Sequence, residues 1–131
     1  RKTRAERFQI IGPSQKTAFS ASTLAVANGS QYGNNALIAP EAQCDDGMLE
    51  LSALPPLTCL NLPGLAHRLF LGRLSSDRRV LRLRAPDFEV HREHPGWIHT
   101  DGETHPAGTC ISFKVVPASL RILCPFTVAT R

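Results

Sequence analysis

Two short stretches carry the residue types that chemistry needs. In "HTDGETHP", residues 99–106, the carboxylates Asp101 and Glu103 flank Gly102. Such a triplet serves either as a tight turn between strands or as a carboxylate held out to a substrate. In "QCDDGM", residues 43–48, Asp46 precedes Gly47. A hard cation such as Mg²⁺ takes oxygen ligands, often a carboxylate with backbone carbonyls, and a glycine lets the chain fold those carbonyls inward. The stretch lacks the three alternating acids of a calcium loop, and Asp-Gly is also a common turn. A third stretch, "HREHPGWIH", brings His91, His94 and His99 close in sequence. Along a strand His91 and His94 point to opposite faces, and no cysteine stands at ligand spacing, so the three read as surface histidines. No Ser is accompanied by a convincing His/Asp set. Neither a Gly-x-Ser-x-Gly elbow nor a phosphate-cradling glycine loop is present.

The elements that must position these residues read mostly as strands. "RFQIIG" and "KTAFSASTLAVANG" form a hairpin across "GPSQ", "ALIAP" is a brief extended piece, and "MLELSAL" alternates as a strand. In "NLPGLAHRLFLGRL" the period changes. Leu62, Leu65, Ala66, Leu69, Phe70 and Leu74 share one helical face, with Asn61 as cap, Pro63 in the first turn and Leu71 off the stripe. The spacing predicts one helix of about three turns. "VLRLRAP" alternates apolar residues with Arg, which implies one wet face, and "DFEVHRE" alternates too. "GWIHTDG" leads into the Asp-Gly-Glu turn. "CISFKVVP" and "SLRILCPF" suggest a last hairpin around Pro117-Ala118-Ser119. The sum is roughly eight to ten strands and one amphipathic helix, which predicts a mostly β protein, an antiparallel β-sandwich.

Composition bounds the rest. The 131 residues suit one domain, and 42% hydrophobic with 20% charged residues is globular, not disordered. The net charge is +4, part of it in the opening "RKTRAER". That run is a solvated strand end or linker, or a contact for acidic lipid head groups or phosphate. Six Phe, one Trp and one Tyr are the whole aromatic complement. None alternates with basic residues as a stacking platform does, so nucleic acid is not an expected partner. Cys44, Cys59, Cys110 and Cys124 show no Cys-x-x-Cys spacing and are expected as free thiols in a reducing cytoplasm. The first residue is Arg1 and the only Met is Met48, which suggests a cut or processed start. No signal peptide is visible, and no apolar run is long enough to span a bilayer.

The order of the pieces resembles one family. "TLAVANGSQYGNNALIAPEAQCDDGMLEL", a helix ending "LFLGRL", then "HTDGE" and "SFKVVPASLRILCP" are similar to the C-terminal domain of bacterial lipid kinases of the diacylglycerol kinase and sphingosine kinase superfamily. The likeness covers residues 16–125. It implies a β-sandwich that forms the second half of a kinase. The missing half would be an N-terminal α/β domain with a Gly-Gly-Asp-Gly-Thr nucleotide motif, and ATP and lipid would meet between the two.

Carried over by position, the resemblance makes Glu103 the catalytic acid and sets Asp101 and Gly102 against the nucleotide. It makes Asp46 a Mg²⁺ ligand, with the carbonyls of Gln43 and Met48 as the other protein ligands. The co-substrate would be ATP, and the acceptor a lipid alcohol: diacylglycerol-like, phosphatidylglycerol-like or sphingoid. The protein would be cytoplasmic and peripheral, touching the membrane transiently, and this chain alone would be inactive. Two departures stand out. The family's three-glycine loop is Gly33-Asn34-Asn35 here, and Asp45 adds a second negative charge beside Asp46. Asn tolerates positive φ better than most residues, which allows the turn to survive. The other reading is a stand-alone β-sandwich module that binds lipid or protein without kinase activity.

Overall fold

The structure, a computed structural model, describes residues 5–33 and 35–121. The first four residues of the basic run, Asn34, Cys124 and most of "SLRILCPF" lie outside the described residues.

Among the described residues, nine strands, one helix and one 3-10 turn follow in order. They are β1 (Glu6–Ile11), β2 (Lys16–Ala21), β3 (Thr23–Ala27), β4 (Leu49–Leu54), α1 (Leu62–Phe70), the turn Leu74–Ser76, β5 (Leu81–Ala85), β6 (Asp87–Arg92), β7 (Gly96–Thr100), β8 (Glu103–Ala107) and β9 (Cys110–Lys114). The strands form antiparallel sheets in the orders β2-β1-β6-β9, β3-β4-β5 and β7-β8.

The β1–β2 hairpin is where the alternation puts it. The apolar run after it breaks at Ser22, where β3 leaves the first sheet to pair with β4. Ile10, Ala21, Phe88 and Val90 of the four-stranded sheet pack against Leu49, Leu51, Ala53 and Ala85 of the three-stranded one. This is the core of the expected sandwich.

A second apolar cluster lies on the far side of the smaller sheet. Ile38, Ala39, Leu65, Leu74 and Val80 join partly buried Ala25, Ala27, Leu54 and Leu69. β4 is therefore covered on both faces, although its sequence alternates. Leu49 to Ala53 are all buried, including Glu50 and Ser52. Ser52 meets the cost of burial by donating its hydroxyl to the Ile38 carbonyl at 2.9 Å. "ALIAP" forms no strand; its Ile38 and Ala39 enter this second core.

The helix differs from its prediction in three ways. Asn61 makes no side-chain cap bond within α1. It closes a reciprocal box one turn earlier: the Thr58 N–H donates to Asn61 Oδ1 at 2.8 Å and the Asn61 N–H donates to Thr58 Oγ1 at 3.2 Å. The apolar stripe also runs past the end of the helix. Gly72, at φ +66°, stops it: the Gly72 N–H donates to the Leu69 carbonyl and the Arg73 N–H to the Arg68 carbonyl, the pattern of a glycine-ended Schellman motif. A Cβ there would stand 2.9 Å from Leu37 Cδ1. Leu74 is buried from the 3-10 turn, and of α1 only Leu65 is buried. Leu62 and Phe70 are exposed despite lying on the stripe, and Leu71 is exposed as expected.

Asp77 fastens this layer. Its carboxylate accepts from the Arg79 backbone N–H and from Arg79 Nε and NH2, and Arg68 of α1 lies 3.7 Å away. Hydrogen bonds from Arg79 hold the Asp77 carboxyl at about 2, well below its ordinary 3.8.

Candidate functional site

The residues singled out by chemistry fall into two places. The first is the turn before β4. Asp46 Oδ1 accepts the Met48 N–H at 2.8 Å, and Gly47 turns the chain at φ +71°. Asp46 Oδ2 accepts from Arg84 of β5 at 2.5 Å. Bonds from Arg84 and then from Met48 hold the Asp46 carboxyl below the usual carboxylate range.

Register explains the meeting. Arg84 is the Cα partner of Glu50 and Arg82 that of Ser52, so both arginines rise on the face that carries Glu50. Arg84 Nε lies 3.3 Å from Glu50, and Arg82 NH2 lies 3.5 Å from Glu50 and 3.3 Å from Glu41. The wet face expected for β5 is thus a charge network, and the Arg82 side chain is only 20% exposed. Arg82 Nε is buried without a partner. Burial pushes the Glu50 carboxyl up, against the pull of Arg82 and Arg84.

The donor set here suits a hard cation: a carboxylate on a glycine turn, in a place that already attracts positive charge. Two of the roughly four lone-pair directions of a carboxylate are in use. Gln43 and Met48 flank Asp46 in the same loop, Gln43 exposed and Met48 half-buried.

The second place is the tip of the β7–β8 hairpin. Thr100 pairs with Glu103, so Asp101 and Gly102 form a two-residue loop. Both have positive φ, +50° and +89°, the signature of a type I′ turn, whose twist matches that of paired strands. Glu103 opens β8 with its side chain 82% exposed, and His105 Nε2 lies 3.9 Å from its carboxylate. No residue of β7 or β8 is buried, and Trp97 lies open on the surface.

A lone two-stranded hairpin is marginal in water. Arg92, at the end of β6, ties this one down. It donates from Nε to the Gly108 carbonyl at 2.9 Å, and from NH2 to the Gly96 and Ala107 carbonyls at 2.9 and 2.7 Å. Gly96 and Ala107 are the base pair of the hairpin. Arg92 thereby fixes the base of the hairpin that carries Glu103 at its tip.

Among the described residues no hydrogen bond or ion pair joins Glu103 to the Asp46 network. Sequence reasoning missed Arg84 and Arg92, which act across strands. Arg84 is 38 residues from Asp46, beyond the reach of any local spacing rule. Where the resembling family has its three-glycine loop, Gly33 and Asn35 both take positive φ, +59° each, and Tyr32 bridges Ala36. Asn35 thus takes a glycine-like conformation. Of the three histidines, His94 and His99 are exposed. His91 has company the linear spacing did not indicate: β9 sets Cys110 beside it.

The arrangement has relatives. The chain is 31% identical over 121 residues to a Pectobacterium atrosepticum protein named "Probable lipid kinase YegS-like", covering 92% of this chain and 39% of that one. A Pseudomonas aeruginosa protein of the same name is 32% identical over 102 residues, 78% of this chain and 33% of its own. The structure named "A putative diacylglycerol kinase from Bacillus anthracis str. Sterne" superposes with a TM-score of 0.73 at 17% identity, covering 89% of this chain and 39% of that chain. The chain thus spans between a third and two-fifths of the length of these relatives. The model of the YegS C-terminal NAD kinase beta sandwich-like domain matches residues 2–124, and the chain belongs to that family.

Proposed function

We propose that this chain is the C-terminal, lipid-facing half of an ATP-dependent lipid kinase, completed by an α/β nucleotide-binding domain. The observation that carries the reading is Glu103: a carboxylate presented at the end of a braced hairpin, in a member of a family whose named relatives are lipid kinases. Phosphoryl transfer passes through a loose transition state, so a protein contributes mainly positioning and charge neutralisation. Glu103 accepts the hydrogen bond of the lipid hydroxyl, aims its oxygen at the γ-phosphate and takes the proton late. Asp101 and Gly102 line the nucleotide side of the same turn. Gly102 keeps the loop short, and Arg92 keeps the hairpin in place.

Asp46, with the carbonyls of Gln43 and Met48, would hold Mg²⁺, which when bound supplies positive charge to the interdomain cleft. Asp46 then exchanges or shares its bond to Arg84. The acceptor is a lipid alcohol of the diacylglycerol, phosphatidylglycerol or sphingoid kind, met at the cytoplasmic membrane surface. Among the described residues no helix is long and apolar enough to cross a membrane.

The internal guanidinium on Asp46 favours a second reading, a binding module that needs no cation and performs no transfer. One experiment separates the two. The full-length protein is assayed for lipid phosphorylation with ATP and Mg²⁺, as wild type and as Glu103→Gln. Turnover in the wild type that collapses in the variant supports the kinase. Vesicle binding without turnover supports the module. The 131-residue chain alone should transfer no phosphate, and robust kinase activity from it would refute the half-enzyme reading.

A further inference from the structure

The histidine stretch has a second feature that the kinase reading does not use. Glu89 and His91 stand two apart on β6, so both project from the same face. On β9, Cys110 is the Cα partner of His91. The neighbours on each strand, Phe88, Val90 and Ile111, turn inward, Phe88 and Val90 into the sandwich core. The outer face is left with a carboxylate, an imidazole and a thiol whose ligand atoms all lie within 4.8 Å of one another.

Two of their three separations match those of a bound metal. His91 Nε2 is 3.2 Å from Glu89 Oε2 and 3.7 Å from Cys110 Sγ. Tetrahedral zinc, with Zn–N and Zn–O near 2.1 Å and Zn–S near 2.3 Å, requires N···O and N···S separations of about 3.4 and 3.6 Å. Both pairs are within about 0.2 Å of that requirement, and both share the same ring nitrogen. The donor set is one sulfur, one imidazole and one carboxylate. It selects a borderline transition-metal dication over Mg²⁺, which prefers all-oxygen octahedral surroundings.

We propose that Glu89, His91 and Cys110 form a surface site for a dication of the zinc class, with the fourth position open to solvent. Binding deprotonates the Cys110 thiol, and its proton passes to the buffer; His91 binds as the neutral ring and Glu89 as the carboxylate. The ion would pin β9 to β6 at the end of the ladder, and Gln9 of β1, the partner of His91 on its other side, adds an amide to the same face. The proposal is independent of the kinase reading.

Cobalt titration of the full chain, kept reduced with a non-thiol reductant, tests it. The wild type should develop a near-ultraviolet thiolate-to-cobalt charge-transfer band that added Zn²⁺ abolishes and excess Mg²⁺ does not. Cys110→Ser should lose the band. His91→Ala should weaken cobalt binding at least about tenfold, the loss typical of removing even an outer-sphere partner. The Cys44→Ser/Cys59→Ser double variant should keep the band. Circular dichroism confirms that each variant is folded, and Glu89→Gln, which keeps shape and removes charge, replaces any that is not. A wild type without the band, a band that survives Cys110→Ser, or one lost in the double variant overturns the site.

Discussion

The same dipeptide, Asp-Gly, is used in two opposite ways. At 46–47 only the glycine takes positive φ, and the aspartate folds its carboxylate back onto the Met48 N–H and across to Arg84. At 101–102 both residues take positive φ, and neither Asp101 nor Glu103 spends its carboxylate on a hydrogen bond among the described residues. One acid is held by the fold through both of its oxygens. The other is presented with its valences free on a hairpin that has no buried residue. A carboxylate fixed inside a charge network serves to hold charge in place. One kept free by a brace is available for a partner that arrives from outside.

The largest expected effect breaks or keeps that contrast at Glu103. On the proposed kinase reading, Glu103→Gln in the full-length protein removes the proton acceptor and keeps the shape. Turnover at saturating lipid should fall by about 10²- to 10⁴-fold, the usual range for a positioned acid or base, or about 3–5 kcal/mol of barrier. Because the side chain is so exposed, thermal unfolding should move by less than ~0.5 kcal/mol. Full turnover in a folded variant would return Glu103 to the role of a hairpin corner.

Next in size is the brace. Arg92→Met deletes three bonds from a guanidinium to carbonyls, and hydrogen bonds from charged groups are typically worth about 1.5–3 kcal/mol. The hairpin amides should lose hydrogen-exchange protection by roughly that much, while β1 and β4 amides stay protected. On the same reading, turnover of the full-length protein should drop with little change in ATP affinity. Unchanged protection in β7–β8 would show that the hairpin stands without Arg92.

How much of this was legible beforehand depends on the distance over which a residue acts. The turn at 101–102, the β1–β2 hairpin and the alternation of β6 are consequences of neighbours in sequence, and they appear where the pattern puts them. Alternation in β4 misled about burial, because Glu50 and Ser52 have the types of an exposed face. What buries them is the loop at Ile38 and the helix layer, which only the fold brings over. The helix stripe overran its end because period alone is blind to Gly72, whose Schellman bonds close the helix two residues before Leu74. The partners that define the candidate sites were hidden for the same reason. Arg84, Arg92 and Cys110 are set by register between strands, and no spacing along the chain encodes it.

Asp77 sharpens the comparison from the structural side, since it too is a fully committed acid. Its folded value, about 2, is below the ordinary 3.8. A depressed carboxyl gives stability that is present above the unfolded value and is lost as pH falls toward the folded one, here between about 3.8 and 2. The shift corresponds to about 1–2 kcal/mol once the half-exposed arginine partners are allowed for. Asp77→Asn should lower stability by that amount at neutral pH and flatten the acid limb of the profile. Parallel wild-type and variant curves between pH 4 and pH 2 would remove Asp77 from the acid response.

The smallest expected effect tests the held acid itself. Arg84→Gln removes the guanidinium from Asp46 Oδ2 and from Glu50. Arg84 is half-exposed, and Arg82 stays within reach of the buried Glu50; with exposed ion pairs worth about 0–1 kcal/mol, unfolding in the absence of Mg²⁺ should shift by about 1 kcal/mol. The consequence for cation binding has the opposite sign. With Arg84 present, a dication approaching Asp46 meets a like charge and must share or displace a charge-assisted bond; without it, the carboxylate is free and the field around it is more negative. The variant should therefore bind Mg²⁺ several-fold more tightly than wild type, and Mg²⁺ should raise its unfolding temperature by more, as mass action requires of a ligand that binds only the folded state. Asp46→Ala in the same background should abolish the gain. If Mg²⁺ stabilises Arg84→Gln and wild type equally, the guanidinium does not compete for the carboxylate, and Asp46 belongs with Asp77 as an acid that only holds the fold together.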